Sequence, residues 1–377
     1  MKNPFVYGEA VTGENFANRT EEIVELVRDL SSTERIFLIS PRRYGKTSLI
    51  LKALEELKLR GFYTAYIDLY KVTSLQNFLE IYTREIIRAV ESKIEKMFNF
   101  LKNTLPGLRP IISLQPDGTA TIGIEHIPKT EDVIKFLDQV YDLPQRLAEK
   151  KKKSFVIVFD EFQEIMNLNS DSIEKAMRAS FQHHDKVGYL FAGSKRHILY
   201  DMVSNPDRAF YKMGRIINLT KLARAEFIDF LLQNFEKTGF SIDKETICRI
   251  LDVVDDYPYN AQYLCHKLWD DFSQTKKITK EDVEPTLERL LSENTPIYIS
   301  IWDALSLHQR RLLYAIARSG GNSLFSQDFI SDYNLGNSSS VQTSVRLLMK
   351  RQILDKEKNT YFITDIFFKE WIQRKMA

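Results

Sequence analysis

Residues 36–49 read Ile-Phe-Leu-Ile-Ser-Pro-Arg-Arg-Tyr-Gly-Lys-Thr-Ser-Leu, an apolar run that leads into a Gly-Lys-Thr triplet. The run is strand-like, and from Ser48 onward apolar residues recur at helical spacing as far as Gly61. The order is strand, loop, helix. A second apolar run at 62–69 follows at once, and a parallel βαβ unit is the natural way to pair it with the first. A loop between strand and helix turns backbone N–H groups and a helix N-terminus toward whatever lies in front of it, which suits an anion. A triphosphate also needs a cation. Gly45 permits close approach, Lys46 supplies the charge for the β- and γ-phosphates, and Thr47 supplies a hydroxyl for Mg2+. Pro41, Arg42, Arg43, Tyr44 and Ser48 complete the loop, so ATP or ADP with Mg2+ is the expected ligand.

In the pattern G-x-x-x-x-G-K-[ST], Ser40 stands where the first glycine belongs. Pro41 biases its predecessor toward an extended backbone, which serine adopts without strain. Binding is therefore expected to survive the exchange. Arg42 and Arg43 leave two readings open, contact with a neighbouring subunit or simple exposure to solvent.

The second decisive stretch is Phe-Val-Ile-Val-Phe-Asp-Glu at 155–161, an apolar strand that ends in two acids. On a neighbouring parallel strand Asp160 would reach the magnesium shell, and Glu161 would polarise an attacking water. That pairing favours hydrolysis over transfer of phosphate to a small acceptor, the alternative that a Gly-Lys-Thr loop would also serve.

Helical and apolar strand patterns alternate to about residue 219, which implies a parallel sheet covered on both faces. Residues 105–128 interrupt this order with two short strand-like runs around Pro116-Asp117-Gly118, a β-hairpin pattern. Four amphipathic helical stretches follow between 225 and 293, and after 302 come three helical stretches, two short strands near 355–359 and a terminal helix. That last order is the winged-helix order. The expected architecture is an α/β P-loop NTPase domain over 1–222, a helical lid domain over 223–294 and a winged-helix domain over 295–377.

Charge narrows the partners. Lys and Arg number 53 against 51 Asp and Glu, a net +2, so any basic site is local and not a property of the whole molecule. The apolar runs are too short to span a bilayer, and the expected location is the cytoplasm with no membrane partner. Cys248 and Cys265 lie in apolar helical patterns, far from a second Cys or His at metal spacing, and read as small buried hydrophobes.

Phe16-Ala-Asn-Arg-Thr-Glu-Glu, residues 41–49, Phe159-Asp-Glu-Phe-Gln, Phe191-Ala-Gly-Ser and Asp256-Tyr-Pro-Tyr-Asn-Ala-Gln-Tyr-Leu together resemble the archaeal-type ATPase family within the AAA+ and STAND classes of P-loop ATPases. The resemblance spans about 4–290. It implies that Asn18 and Arg19 cover the adenine, that Ser194 is the sensor beside the γ-phosphate, and that Pro258 comes from the lid. It also implies that Arg208 or Arg215 senses the γ-phosphate, from the same subunit or an adjacent one. No arginine opens the helix at Asn260, where AAA+ proteins often keep a second sensor, and this departure leans toward the slow turnover of STAND switches.

Two functions stay open at this point: an ATP-hydrolysing switch coupled to the winged helix, and a nucleotide-gated interaction module with little turnover, alone or as a homo-oligomer. Residues 303–377 carry eleven Lys or Arg against seven Asp or Glu. In the third helix Val341, Val345 and Leu348 form an inward stripe, which leaves Gln342, Thr343, Arg346 and Lys350 outward with Lys356 and Lys358 in the wing. Double-stranded DNA or a protein partner would suit that face.

Overall fold

The computed structural model describes residues 2–11, 16, 19–91, 110–114, 120–124, 133–168, 171–357 and 359–376. The chain forms two compact units, Thr12–Thr220 and a second made of Met1–Val11 with Lys221–Ala377.

The first unit is built on five parallel strands: β1 (Arg35–Ile39), β2 (Tyr63–Asp68), β5 (Phe155–Asp160), β6 (Val187–Gly193) and β7 (Arg215–Asn218), ordered β2-β5-β6-β1-β7. β5 and β6 are buried along their whole length, as their unbroken apolar sequences require in a sheet covered on both faces. Around them pack α1 (Thr20–Ser31), α2 (Lys46–Leu59), α3 (Leu75–Val90), α4 (Val133–Tyr141), α5 (Leu143–Lys151), α6 (Asp171–Phe181) and α7 (Arg196–Ser204). One face of the sheet is aromatic: Phe159 and Phe191 stack with centroids 5.6 Å apart, and Phe37, Phe162 and Tyr82 join them in the core. β3 (Pro110–Leu114) and β4 (Ala120–Ile124) pair antiparallel as a separate ribbon, so the interruption read at 105–128 is a hairpin.

The helical sequence pattern over 131–152 is not one helix: the structure breaks it at Asp142. Pro144 sits in the first turn of α5, where its missing N–H costs nothing, whereas one continuous helix would have placed the proline ring against a carbonyl of the preceding turn.

The second unit holds α8 (Arg224–Lys237), α9 (Lys244–Val253), α10 (Pro258–Asp271), α11 (Lys280–Asp303), α12 (Leu307–Ser319), α13 (Gln327–Asp332), α14 (Ser338–Lys350), the antiparallel pair β8 (Leu354–Glu357) and β9 (Thr360–Ile363), and α15 (Ile366–Lys375). The helices, wing strands and terminal helix after 303 are those of a winged helix. The boundary expected at 294/295 falls inside α11, which continues for 24 residues through Pro285 and Pro296. Aromatic packing holds the helix past Pro296: Tyr298 and Trp302 lie against Phe368 and Trp371, and Thr295 Oγ1 accepts a hydrogen bond from Trp371 Nε1 at 3.2 Å.

The opening residues also depart from expectation, because they belong to the second unit. Phe5 is buried with its ring 4.4 Å from that of Phe235, Tyr7 stacks on Tyr263 at 4.2 Å, and Asn3 donates to the His266 carbonyl at 3.1 Å. Cys265 is buried and Cys248 half-buried; neither is in a disulfide. No helix among the described residues is long and apolar enough to cross a membrane.

Candidate active site

Parallel strands deliver their carboxyl ends to one edge of the sheet, and the register sets which residues meet there. Ile39 lies opposite Gly193, and Asp68 opposite Asp160. The loop after β1, the acids that end β5 and the residue after β6 therefore share that edge, the usual ligand-binding edge of such sheets.

The loop is built as a nest. Arg43 and Gly45 both take left-handed backbone, with φ of 69° and 80°, and Tyr44 is buried between them. Such a turn points successive N–H groups inward ahead of α2. Arg42 and Arg43 are exposed. Ser40 is fully buried; its N–H donates to the Gly193 carbonyl at 3.2 Å and its hydroxyl to the Pro41 carbonyl at 2.9 Å. A side chain at this position is thus accommodated and its polar atom satisfied.

Lys46 is buried, and its ammonium is held by Asp160 and, at 3.0 Å, by Glu161 Oε1. Thr47 Oγ1 donates to Asp160 Oδ2 at 3.0 Å, and so does the Tyr66 hydroxyl of β2 at 2.8 Å. Burial and the Asp160 charge push the Tyr66 phenol far above its ordinary pKa, so it acts as a permanent donor. Glu161, at φ 51°, turns out of β5; its Oε2 accepts from Ser194 Oγ at 2.9 Å and Gln163 Nε2 at 2.5 Å. Burial alone would raise the Glu161 carboxyl, but the Lys46 charge and the donors Gln163, Lys46 and Ser194 outweigh it and hold the group below its usual range.

The donor set suits Mg2+. Thr47 Oγ1 and the Asp160 carboxylate converge, and among the described residues no group of three or more His, Cys, Asp or Glu is placed to hold a metal. A cation here would draw its remaining ligands from phosphate and water, as magnesium does at nucleotide sites.

Arg19 is buried, and its Nη2 donates to the carbonyls of Tyr44 and Thr220, both at 3.0 Å, while Nη1 pairs with Glu22 at 2.7 Å. This guanidinium ties the loop after β1 to the segment that follows β7. Asn18 lies outside the described residues, as does Lys358. Pro258 opens α10 in the second unit.

The arginines between β6 and β7 pair with carboxylates other than Asp160 and Glu161. Arg215 begins β7 beside Ile36, at the sheet edge opposite the loop, and its guanidinium pairs with Glu25 and with Asp29 at 2.6 Å. It ties α1 to the edge strand. Arg208 pairs with buried Glu174 at 3.1 Å and with Asp201 at 3.6 Å. Tyr66 and Gln163 were not anticipated. Each reaches the acids from a neighbouring strand or turn, and the glutamine's presence within Asp-Glu-Phe-Gln was the available signal.

Comparison with known proteins agrees with the geometry. Residues 16–260 match the family described as an ATPase domain predominantly from Archaea, and residues 296–374 match a probable winged helix domain. The chain belongs to that archaeal ATPase family. Its fold is similar to that of a Walker-type ATPase of Pyrococcus abyssi, with a TM-score of 0.66 at 16% identity over 98% of this chain and 99% of the other. It is also similar to the Aeropyrum pernix ORC2 protein, solved as ADPNP-ADP complexes, with a TM-score of 0.54 at 14% identity over 96% of each chain. The Aeropyrum pernix ORC1 protein in complex with DNA gives 0.51 at 12% identity, over 97% of this chain and 94% of that one. A search of curated proteins finds no match to the sequence.

Proposed function

We propose that the chain binds ATP and hydrolyses it slowly, and that nucleotide state switches the exposure or orientation of its winged helix. The observation that carries this reading is the meeting of Lys46, Thr47, Asp160, Glu161 and Ser194 on one strand edge. The Lys46 ammonium exchanges its carboxylate partners for β- and γ-phosphate oxygens, and the inward loop N–H groups take the rest of that charge. Magnesium, held by Thr47 and Asp160, would neutralise charge on the β- and γ-oxygens. Glu161 Oε1, vacated by Lys46, accepts a proton from water as the water oxygen bonds to the γ-phosphorus. The bond from that phosphorus to the bridging oxygen breaks, and ADP leaves with its electron pair. Ser194 is placed to steady the base. Slow turnover suits a site whose base begins fully engaged by Lys46, Ser194 and Gln163. ORC2, a neighbour in fold, was solved with nucleotide, which fits the reading. Phosphate release by the full chain, with and without Mg2+, tests it; tight nucleotide binding with no release would leave the gated interaction module.

A second reading attaches to α14. Val341, Val345 and Leu348 are buried, while Gln342, Thr343, Arg346 and Lys350 are exposed on the opposite side, and Lys356 is exposed on the wing. This is a polar and basic helix face, the kind of element a major groove admits. On this reading the full chain binds duplex DNA with salt-dependent affinity. Replacing Arg346 and Lys350 together with alanine should lower the slope of log affinity against log salt by about 2, one counterion per lost phosphate contact. An unchanged slope in fluorescence anisotropy would leave this face to a protein partner.

A further inference from the structure

Glu161 needs its carboxylate aimed, and something other than the nucleotide must aim it. Beyond Glu161 the chain enters a short 3-10 helix, Phe162–Leu168, and Phe162 anchors it with a ring 4.6 Å from that of Phe191. The next side chain, Gln163, is thereby carried back under the strand ends, where it is 3% exposed. Its amide has one workable orientation, because a carboxylate only accepts: Nε2 faces Glu161 Oε2 at 2.5 Å. Oε1 of the same amide is buried and meets no donor among the described residues. A buried carbonyl left unpaired destabilises the fold, so stability alone does not account for glutamine here.

Gly193 completes the arrangement. Its φ is not in the left-handed region, so backbone freedom is not what glycine supplies. A Cβ at 193 would stand 2.1 Å from Gln163 Oε1 and 2.7 Å from Leu199 Cδ1. The missing side chain is the space in which the glutamine amide lies. From β6, then, Gly193 makes room for one donor to Glu161 Oε2 and the adjacent Ser194 supplies the other at 2.9 Å.

The geometry points to Gln163 as a positioning residue for the water-activating carboxylate: with Ser194 it fixes Oε2 of Glu161 so that Oε1 is presented to water once Lys46 turns to phosphate, and Gly193 is the notch that admits it. This inference rests on ATP hydrolysis at the site. Two substitutions on different strands should share one phenotype. Gln163→Ala and Gly193→Ala should each lower kcat roughly 10- to 100-fold, the scale of a misplaced reacting group, with KM and equilibrium affinity for ATP near those of the unaltered chain. Because both act through the same hydrogen bond, the double variant should be no slower than the worse single one. A thermal melt of each variant identifies any that fails to fold; should Gly193→Ala be one, Gln163→Ala alone decides through its kcat against its KM. An unchanged kcat in folded Gln163→Ala overturns the inference while leaving hydrolysis standing, and so does a loss confined to ATP affinity. No turnover in the unaltered chain removes the hydrolysis reading and this one with it.

Discussion

Lys46→Ala is expected to abolish ATP binding at concentrations that saturate the unaltered chain. On the proposed reading the lysine supplies charge-assisted hydrogen bonds to two phosphates, each worth about 1.5–3 kcal/mol, so its loss alone should weaken binding roughly 100- to 10,000-fold. A second effect adds to the first. Lys46 is the cation between Asp160 and Glu161, and without it two partly or fully buried carboxylates face an incoming polyanion uncompensated. Their remaining donors, Thr47 and Tyr66 on Asp160 and Ser194 and Gln163 on Glu161, should keep the fold intact at some cost in thermal stability. Calorimetric titration of the full chain with Mg-ATP is the measurement. Affinity like that of the unaltered protein would refute the phosphate-loop assignment, whereas a variant that melts normally yet takes up no nucleotide supports it.

Glu161→Gln should leave ATP bound and unhydrolysed. The amide keeps the length and shape of the carboxylate but has no basic oxygen, and removal of a general base costs about 100- to 10,000-fold in rate. Single-turnover phosphate release reads that loss directly. Binding is read separately: at saturating Mg-ATP the variant's melting temperature should rise as ligand linkage requires, and by more than in Lys46→Ala. If hydrolysis persists at the original rate, some other group activates the water. If the Mg-ATP shift disappears as well, Glu161 serves the binding site more than the chemistry.

Much of this site was legible because its parts are contiguous. Strand, loop and α2 follow each other within residues 35–59, and Asp160 and Glu161 close an apolar run. What escaped the sequence depends on neighbours. Tyr66 reaches Asp160 only because β2 pairs with β5 in a particular register, and Gln163 reaches Glu161 only because Phe162 anchors the turn between them. Arg215 shows the same dependence: the two ends of β7 are three positions apart in sequence, yet Arg215 stands at the end away from the loop. Proline gave both outcomes. Pro144 marks a helix start, whereas Pro296 is carried inside a helix by aromatic packing from Phe368 and Trp371, 72 and 75 positions onward. The amino-terminal residues, with Phe5 and Tyr7, show too short an alternation to declare which unit they serve.

Those amino-terminal residues also bear on the order in which the molecule assembles. Asn3 and His266 are 263 positions apart, so the segment around Phe5 is synthesised long before the helix that receives it. Closing so large a loop in an unfolded chain carries an entropic penalty that grows with the logarithm of its length. Arg19, however, is hydrogen-bonded to Thr220, so the folded Thr12–Thr220 unit brings together two segments 201 positions apart. Once Arg19 and Thr220 are paired, the 201 positions between them drop out of the loop, and the long closure becomes a shorter one. On this account the Thr12–Thr220 unit, folded first, should lower the entropic cost of ordering the segments on either side of it.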